Sequence, residues 1–531
     1  MKLVTNKKVG DYSYLFFSLI ALLPVIFLFI EGKDLPEKDI ETWSFVLNDV
    51  VPGLLKNSFQ LVICSILGCA LIAVPMALIL ELTDIPAKRL WNLTTILPLA
   101  FPLYVLAFIY VGLFEWAGPV LTFLREAGFD SLGNLKFKNV FGVAFVFTMG
   151  LFPYILMPIR LVLRKVDYKL FQASKSLGKS EGYFIKKVLA PLIVVPLFAG
   201  CTIVGMEVMA DFGAVSVFNF DTFTTSIYTA WSSLFSLSSA TRLSLMLLSF
   251  SLVLFFLESH VSKKQVPLVT SKSNQSLFKL NIVWKTIALV FMGTVTFFSL
   301  ILPLIQLGVW SLEAWSGEVN GNYLTLIKNT LLLALKVGVS ILIISLILVY
   351  AERKKLKEKW LPLFRSFFLV GYALPGNIVA VGIFLLFKNV LGTSPMGMGL
   401  GLVVIGLTYR FLSVGHRTIS PTARLINPSL EKASKSLGKS NFTFIRKIWL
   451  PFLKGNAVYA FLFVFVEVAK EMPLTLMLRP MGHDTLSTKI YELTSEGEWE
   501  RASLGALFLV ILGMFTVIMM SLKGDNHAKD C

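Results

Sequence analysis

Ala173-Ser174-Lys175-Ser176-Leu177-Gly178-Lys179-Ser180 recurs unchanged as Ala433-Ser434-Lys435-Ser436-Leu437-Gly438-Lys439-Ser440, 260 residues further along a chain of 531. Both copies are polar and basic, and both interrupt strongly apolar sequence. A direct repeat at about half the chain length means that one structural unit occurs twice. The best-matched segment is a charged loop and not an apolar helix, so the loop is expected to contact something specific.

The residues around each copy share the same offset. Asp167 and Asn427 are good helix N-caps. Pro428 takes a first-turn position where proline is tolerated. Gly178 and Gly438 supply the left-handed residue that ends a short helix. A second basic helix is expected at 183–187 and at 442–447, ending at Pro191 or Pro451 where the next apolar stretch begins. A solvated amphipathic surface helix would account for the lysines of one such loop. It does not account for the shared Ala, Leu and Gly of two, whereas a short helix with a tight glycine corner suits docking into a cleft on a partner. The Gly-Lys-Ser at 178–180 and 438–440 is no phosphate loop, because the required first glycine would fall at Ala173 or Ala433.

Composition fixes the class. The chain is 56% hydrophobic and 15% charged, against about a quarter charged in soluble proteins. Apolar stretches long enough for a bilayer core of about 30 Å fall at 14–30, 58–80, 93–114, 139–160, 188–210 and 242–257, then at 284–308, 330–350, 366–387, 398–414, 453–470 and 502–522. The expected fold is therefore an all-α polytopic membrane protein with about twelve spans, six per half.

Charge supports the count. With the N-terminus inside, the basic loops at Lys88-Arg89, 160–187, Lys263-Lys264, Arg353-Lys354-Lys355 and 410–454 all fall on the cytoplasmic side. Acidic residues collect in the first and last outside loops, at Asp34, Glu37, Asp39 and Glu41 and at Glu496, Glu498 and Glu500. Six is even, so the halves enter with one orientation and are related by a pseudo-twofold along the membrane normal. The expected division is 1–262, a cytoplasmic linker at 263–282, and 283–531. The net charge of +17 reflects these loops and not nucleic-acid binding. The run 14–30 reads as a retained first helix, because Glu31-Gly32-Lys33-Asp34 and no small-residue cleavage site follows it. Cys64, Cys69, Cys201 and Cys531 indicate neither a disulfide framework nor a zinc site.

The two loops resemble the cytoplasmic motif of ABC-importer permeases, Glu-Ala-Ala-x-x-x-Gly-x9-Ile-x-Leu-Pro. The second copy supplies Lys432, Ala433, Gly438, Ile448, Leu450 and Pro451 at that spacing, and the first supplies Gln172, Ala173, Gly178, Val188, Ala190 and Pro191. Both depart from it at the glutamate and at the second alanine. The segments 206–215, 222–228, 468–480 and 484–488 are similar to the fused two-half permeases of ferric-iron importers, a resemblance covering nearly the whole chain. It implies the type I ABC-importer permease fold, as two parallel six-helix repeats in a bacterial inner membrane with both termini cytoplasmic. It also implies coupling loops near 167–187 and 427–447, in which Gln172, Ala173, Gly178, Lys432, Ala433 and Gly438 seat two copies of an ATP-binding-cassette ATPase. The implied partners are that ATPase, an extracytoplasmic solute-binding protein and membrane lipid. ATP would be bound by the ATPase subunits, with no cofactor in this chain.

Two acidic pairs remain. Glu207 and Asp211 recur as Glu467 and Glu471 at the same offset of 260. An i, i+4 pair is expected on one helix face, and ionisable groups in membrane helices are costly toward lipid. The four are expected to line a translocation path, the alternative being that they cap helix ends or pair with Lys470 and Arg479. A hard cation prefers oxygen ligands, and transport needs transient contact and no high-affinity metal cage. The expected function is the permease of a ferric-iron importer. Alternatives are the same architecture carrying thiamine or another small polar solute, or a secondary transporter driven by an ion gradient. No nucleophile–base constellation points to an enzyme.

Overall fold

Prolines decide where the apolar segments run straight and where they break. The computed structural model describes residues 22–527 apart from 135, 263–276, 319–320, 354–370, 372–373 and 393. Most of the expected linker, and the starts of the spans expected at 14–30 and 366–387, lie outside the described residues. The principal helices of the first repeat are α1 (Leu22–Glu31), α2 (Ile40–Leu82), α3 (Lys88–Ala100), α4 (Leu103–Leu113), α5 (Val140–Leu163), α6 (Tyr168–Ser176), α7 (Glu181–Ala210), α8 (Gly213–Val217), α9 (Phe223–Ser232) and α10 (Leu237–Ser262). Those of the second are α11 (Ile282–Gly317), α12 (Gly321–Arg353), α13 (Gly376–Leu391), α14 (Leu400–Leu425), α15 (Pro428–Ser436), α16 (Asn441–Lys470), α17 (Pro473–Leu478), α18 (Leu486–Ser495) and α19 (Trp499–His527).

Among the described residues eight helices are long and apolar enough to cross a bilayer, or nine if one bent pair counts as a span. The bent pair corrects the continuous span expected at 93–114. α3 and α4 meet at 91°. Pro102 has no N–H to continue the ladder, and it pushes Phe101 into the extended region at φ −76°, ψ 130°. Residues 104–113 of α4 are all buried, as a helix apolar on every side must be. α13 repeats the pattern after Pro375, with residues 376–383 buried.

The basic segments at 183–187 and 442–447 are not separate helices either. Each forms the start of the long helix that follows, α7 or α16. The ladder opens into a wide turn at Ile185–Leu189 and Ile445–Trp449, just before Pro191 and Pro451. A proline would otherwise strike the carbonyl four residues back, and a wide turn absorbs that clash without ending the helix.

Contacts divide the chain into two units, each interleaved along the sequence. One comprises 44–226, 249–318 and 490–531, and is built on the mutual packing of α2, α5 and α7. In it α11 packs on α19 and α4. The other comprises 1–43, 227–248 and 319–489, and is built in the same way on α12, α14 and α16. In it α1 lies on α13 so closely that a Cβ at Gly382 would sit 2.9 Å from the Pro24 carbonyl oxygen. Each unit thus takes in the first helix of the other repeat.

Candidate functional site

The octapeptides fold into two matching corners. Asp167 caps α6 by accepting from the Lys169 amide at 2.9 Å, and Asn427 caps α15 by accepting from Ser429 at 2.9 Å. At the far end Gly178 and Gly438 take φ +70° and +69°. There the amides of Lys179 and Lys439 donate back to the Ser174 and Ser434 carbonyls, at 3.1 and 3.0 Å. This is the closure expected of a glycine C′ residue. Ser180 and Ser440 then cap the next helix through the amides of Tyr183 and Thr443, both at 3.2 Å. Gln172, Ala173, Lys432 and Ala433 are exposed along the short helices. Leu177 and Leu437 stand at the tips with 76% of their surface exposed. Each corner thus presents an exposed apolar tip that can be covered by another protein.

Sequence reasoning missed what holds each corner to the membrane helices. In the unit built on α2, Glu81 at the end of α2 accepts from Arg160 Nε at 2.6 Å and from Arg164 Nε at 3.0 Å. Arg160 also donates to Asn92 Oδ1 on α3. Its side chain is only 5% exposed. In the unit built on α12, Glu352 occupies the same place. It accepts from Ser420 at 3.2 Å and lies 2.9 Å from His416 Nε2 and 4.0 Å from Arg424. Both carboxylates therefore clamp the last turns of the helix that leads into the corner, α5 or α14. The available signal was an acid at the end of each of two apolar spans, with Arg160 and Arg164 spaced i, i+4.

The acidic pairs lie at the other end of α7 and α16, helices of 30 residues each, or about 45 Å. The i, i+4 geometry fails at its second member. α7 ends at Ala210 and α16 at Lys470, and Asp211 and Glu471 continue in extended conformation with ψ 134° and 129°. Glu207 and Glu467 remain helical and half-buried, and Glu467 lies 3.9 Å from Lys470. Asp211 Oδ1 accepts from the amides of Ala214 and Val215, at 2.8 and 3.3 Å, and so caps α8. Glu471 caps α17 through the amides of Leu474 and Thr475, at 2.9 and 3.1 Å. Thr224 and Ser487 donate to the backbone carbonyls of Asp211 and Glu471, at 2.6 and 2.8 Å. Asn57 and Asn329 secure the following turns through the Asp221 and Asp484 carbonyls, both at 3.1 Å.

The two caps differ in charge. Glu471, whose side chain is 2% exposed, also accepts from Arg410 Nη1 at 2.8 Å. A Cβ at Gly376 would come within 2.6 Å of that nitrogen, so the pair can reach the start of α13 only because a glycine stands there. Gly150 stands 260 residues before Arg410, and among the described residues the donors to the Asp211 carboxylate are the backbone amides of the same cap. Among the described residues no three His, Cys, Asp or Glu converge as a metal-ligating group.

A family model described as "Binding-protein-dependent transport system inner membrane component" matches residues 72–266 and again 341–523. The two matches fall on the two repeats and include both corners and both acidic pairs. The chain is 24% identical over 473 residues to the Fe(3+)-transport system permease protein FbpB 2 of Haemophilus influenzae, covering 88% of this chain and 89% of the relative. It is 23% identical over 547 residues to the ferric transport system permease protein FbpB of Actinobacillus pleuropneumoniae, covering 97% and 77%.

Proposed function

The chain belongs to the family of binding-protein-dependent transport system inner membrane components, and on that premise we propose that it is the membrane-spanning permease of an ATP-driven ferric-iron importer. The observation that carries the reading is the duplicated corner, with one sequence, one backbone and one exposed leucine occurring twice in a single chain. Each corner seats one copy of an ATP-binding-cassette ATPase, with Gln172, Ala173 and Gly178 at one contact and Lys432, Ala433 and Gly438 at the other. A solute-binding protein delivers the cargo from outside. Both termini and the linker at 263–282, between repeats 1–262 and 283–531, face the cytoplasm, a reading that the loop charges support.

The mechanism follows from continuity. α7 and α16 each run unbroken from a corner to an acidic cap, so a displacement of the corner is felt at the opposite end of the same rigid element. The carboxylates of Glu81 and Glu352 make the neighbouring helix move with it. At the far end Glu207 and Glu467 offer carboxylates to the path, while Asp211 and Glu471 fix the turns beside them. Hard Fe(3+) favours oxygen donors, and single acids hold it weakly enough for it to leave. The naming of both relatives as ferric transport permeases supports iron as the cargo.

The test is uptake of Fe(3+) into vesicles holding the chain, with ATPase and binding protein supplied. Uptake that requires ATP, together with copurification of the ATPase, is the expected outcome. ATP-independent uptake driven by an ion gradient would sink the reading.

A further inference from the structure

α12 and α16 leave a groove of about 630 Å³ between them, lined by Leu342, Arg446, Leu450, Lys454, Val458 and Phe461 and by no residue of the Glu471 cap. Along α16 the lining residues recur every three or four positions, so they form one stripe on one face. Glu467 falls off that stripe, and the groove is therefore separate from the face assigned to the path. Its apolar end is closed where Phe461 lies over Gly338, at which a Cβ would come within 2.9 Å of the ring. Arg446 marks its other end, close to where α16 leaves its corner, and Lys454 stands about two turns further along. Both are exposed, and neither makes an ion pair with a described residue.

We propose that this groove binds one anionic phospholipid, with an acyl chain along Leu342, Val458 and Phe461 and the headgroup phosphate held by Arg446 and Lys454. The two positions are eight residues apart, or about 12 Å along the helix, a gap that two long basic side chains close around a headgroup. Basic side chains near the end of a membrane helix reach toward the interface, and basic pockets between membrane helices select anionic headgroups. The first repeat supplies an internal control. Lys186 matches Arg446, but Val194 stands in the place of Lys454 and is 47% exposed. The cation pair is thus a property of the second repeat alone.

The experiment is native mass spectrometry of the purified full chain, titrated with phosphatidylglycerol or with phosphatidylcholine of identical acyl chains. Wild type is expected to retain one phosphatidylglycerol preferentially, and R446Q/K454Q is expected to lose roughly 10- to 30-fold of that preference. V458W keeps both charges and fills the groove, and should lose the lipid as well. K186Q, in the first repeat, should retain it. Equal retention by wild type and R446Q/K454Q would overturn the proposal, as would retention by V458W or equal binding of phosphatidylcholine. If R446Q/K454Q keeps the lipid and instead fails to copurify with the ATPase, the surface belongs to that partner and the proposal is wrong.

Discussion

The two corners share sequence and backbone, yet each is anchored differently. Beneath the first, Phe171 is buried against Phe184 and Phe278, with ring centroids 5.2 and 5.1 Å away. Phe278 also donates its amide to the Leu82 carbonyl at 2.9 Å, and the Leu280 amide donates to Asp84 at 3.0 Å. Lys285 beside Asp84 holds that carboxyl below its ordinary range. The end of the inter-repeat segment therefore braces the first corner. At the second corner Glu431 takes the place of Phe171 and pairs with Lys435 at 2.9 Å. Anchorage there comes from a buried cluster of Val349, Ile419, Ile426, Phe444, Trp449 and Leu453, without an aromatic ring at position 431. What is kept constant is the exposed tip, and what varies is the buried support. That division suits a tip that meets the same partner twice, while each base needs only to be firm.

The comparison breaks most readily at the clamps. Removing Glu81 leaves Arg160 buried without its counter-charge, at a cost of about 3–5 kcal/mol. Removing Glu352 takes a hydrogen-bond acceptor from Ser420 and a neighbour from His416 and the largely exposed Arg424, at about 1–3 kcal/mol. Thermal unfolding in detergent should rank E81A well below E352A, and both below wild type. Equal losses would mean that the two carboxylates do not do different work. Phe171→Ala comes next. It should cost about 3 kcal/mol through the cavity left against Phe184 and Phe278, and limited proteolysis should find the first corner loosened while the second is unchanged. Cleavage rising equally at both corners would show that they are coupled and not separately anchored.

Gly178→Val and Gly438→Val sharpen the comparison, because here the two corners should agree. Nothing lies within 4 Å of a Cβ at either position, so the penalty is the positive φ alone. It should be about 1–3 kcal/mol for a β-branched residue. Transport and ATPase copurification should fall in both variants with membrane insertion unaltered. Wild-type transport in both would remove the docking role from these glycines.

How far the sequence could be read depends on the reach of each interaction. The caps at Asp167 and Asn427 and the turns at Gly178 and Gly438 were legible because their partners lie within five residues. Apolar length and loop charge were enough for a helical membrane fold with two repeats. Hydropathy averaged over 93–114 hid the break, although Pro102 was in plain view; a backbone dihedral decides that point and apolarity does not. The i, i+4 reading of Glu207 with Asp211 assumed that the helix continues, and it stops between them. Glu81 and Arg160 were out of reach because 79 residues separate them and only the packing of α2 on α5 brings them together.

The smallest expected effect concerns a lysine of the octapeptide that changes its ion-pair partner. Lys175 reaches forward across its glycine corner to Glu181 at 3.0 Å, whereas Lys435 reaches back one turn to Glu431 at 2.9 Å. The alternative partner is missing in each case, since Phe171 stands where Glu431 would be and Asn441 where Glu181 would be. Both lysines are more than half exposed, so each pair should contribute only about 0.3–0.5 kcal/mol and fade as salt rises. E181Q should therefore loosen the turn after Gly178, and E431Q should loosen the helix before Gly438. Amide exchange should increase on opposite sides of the two glycines, at low salt and less so at high salt. If both variants loosen the same side, the lysines are interchangeable parts of the tip, and the difference between the corners is confined to what lies buried beneath them.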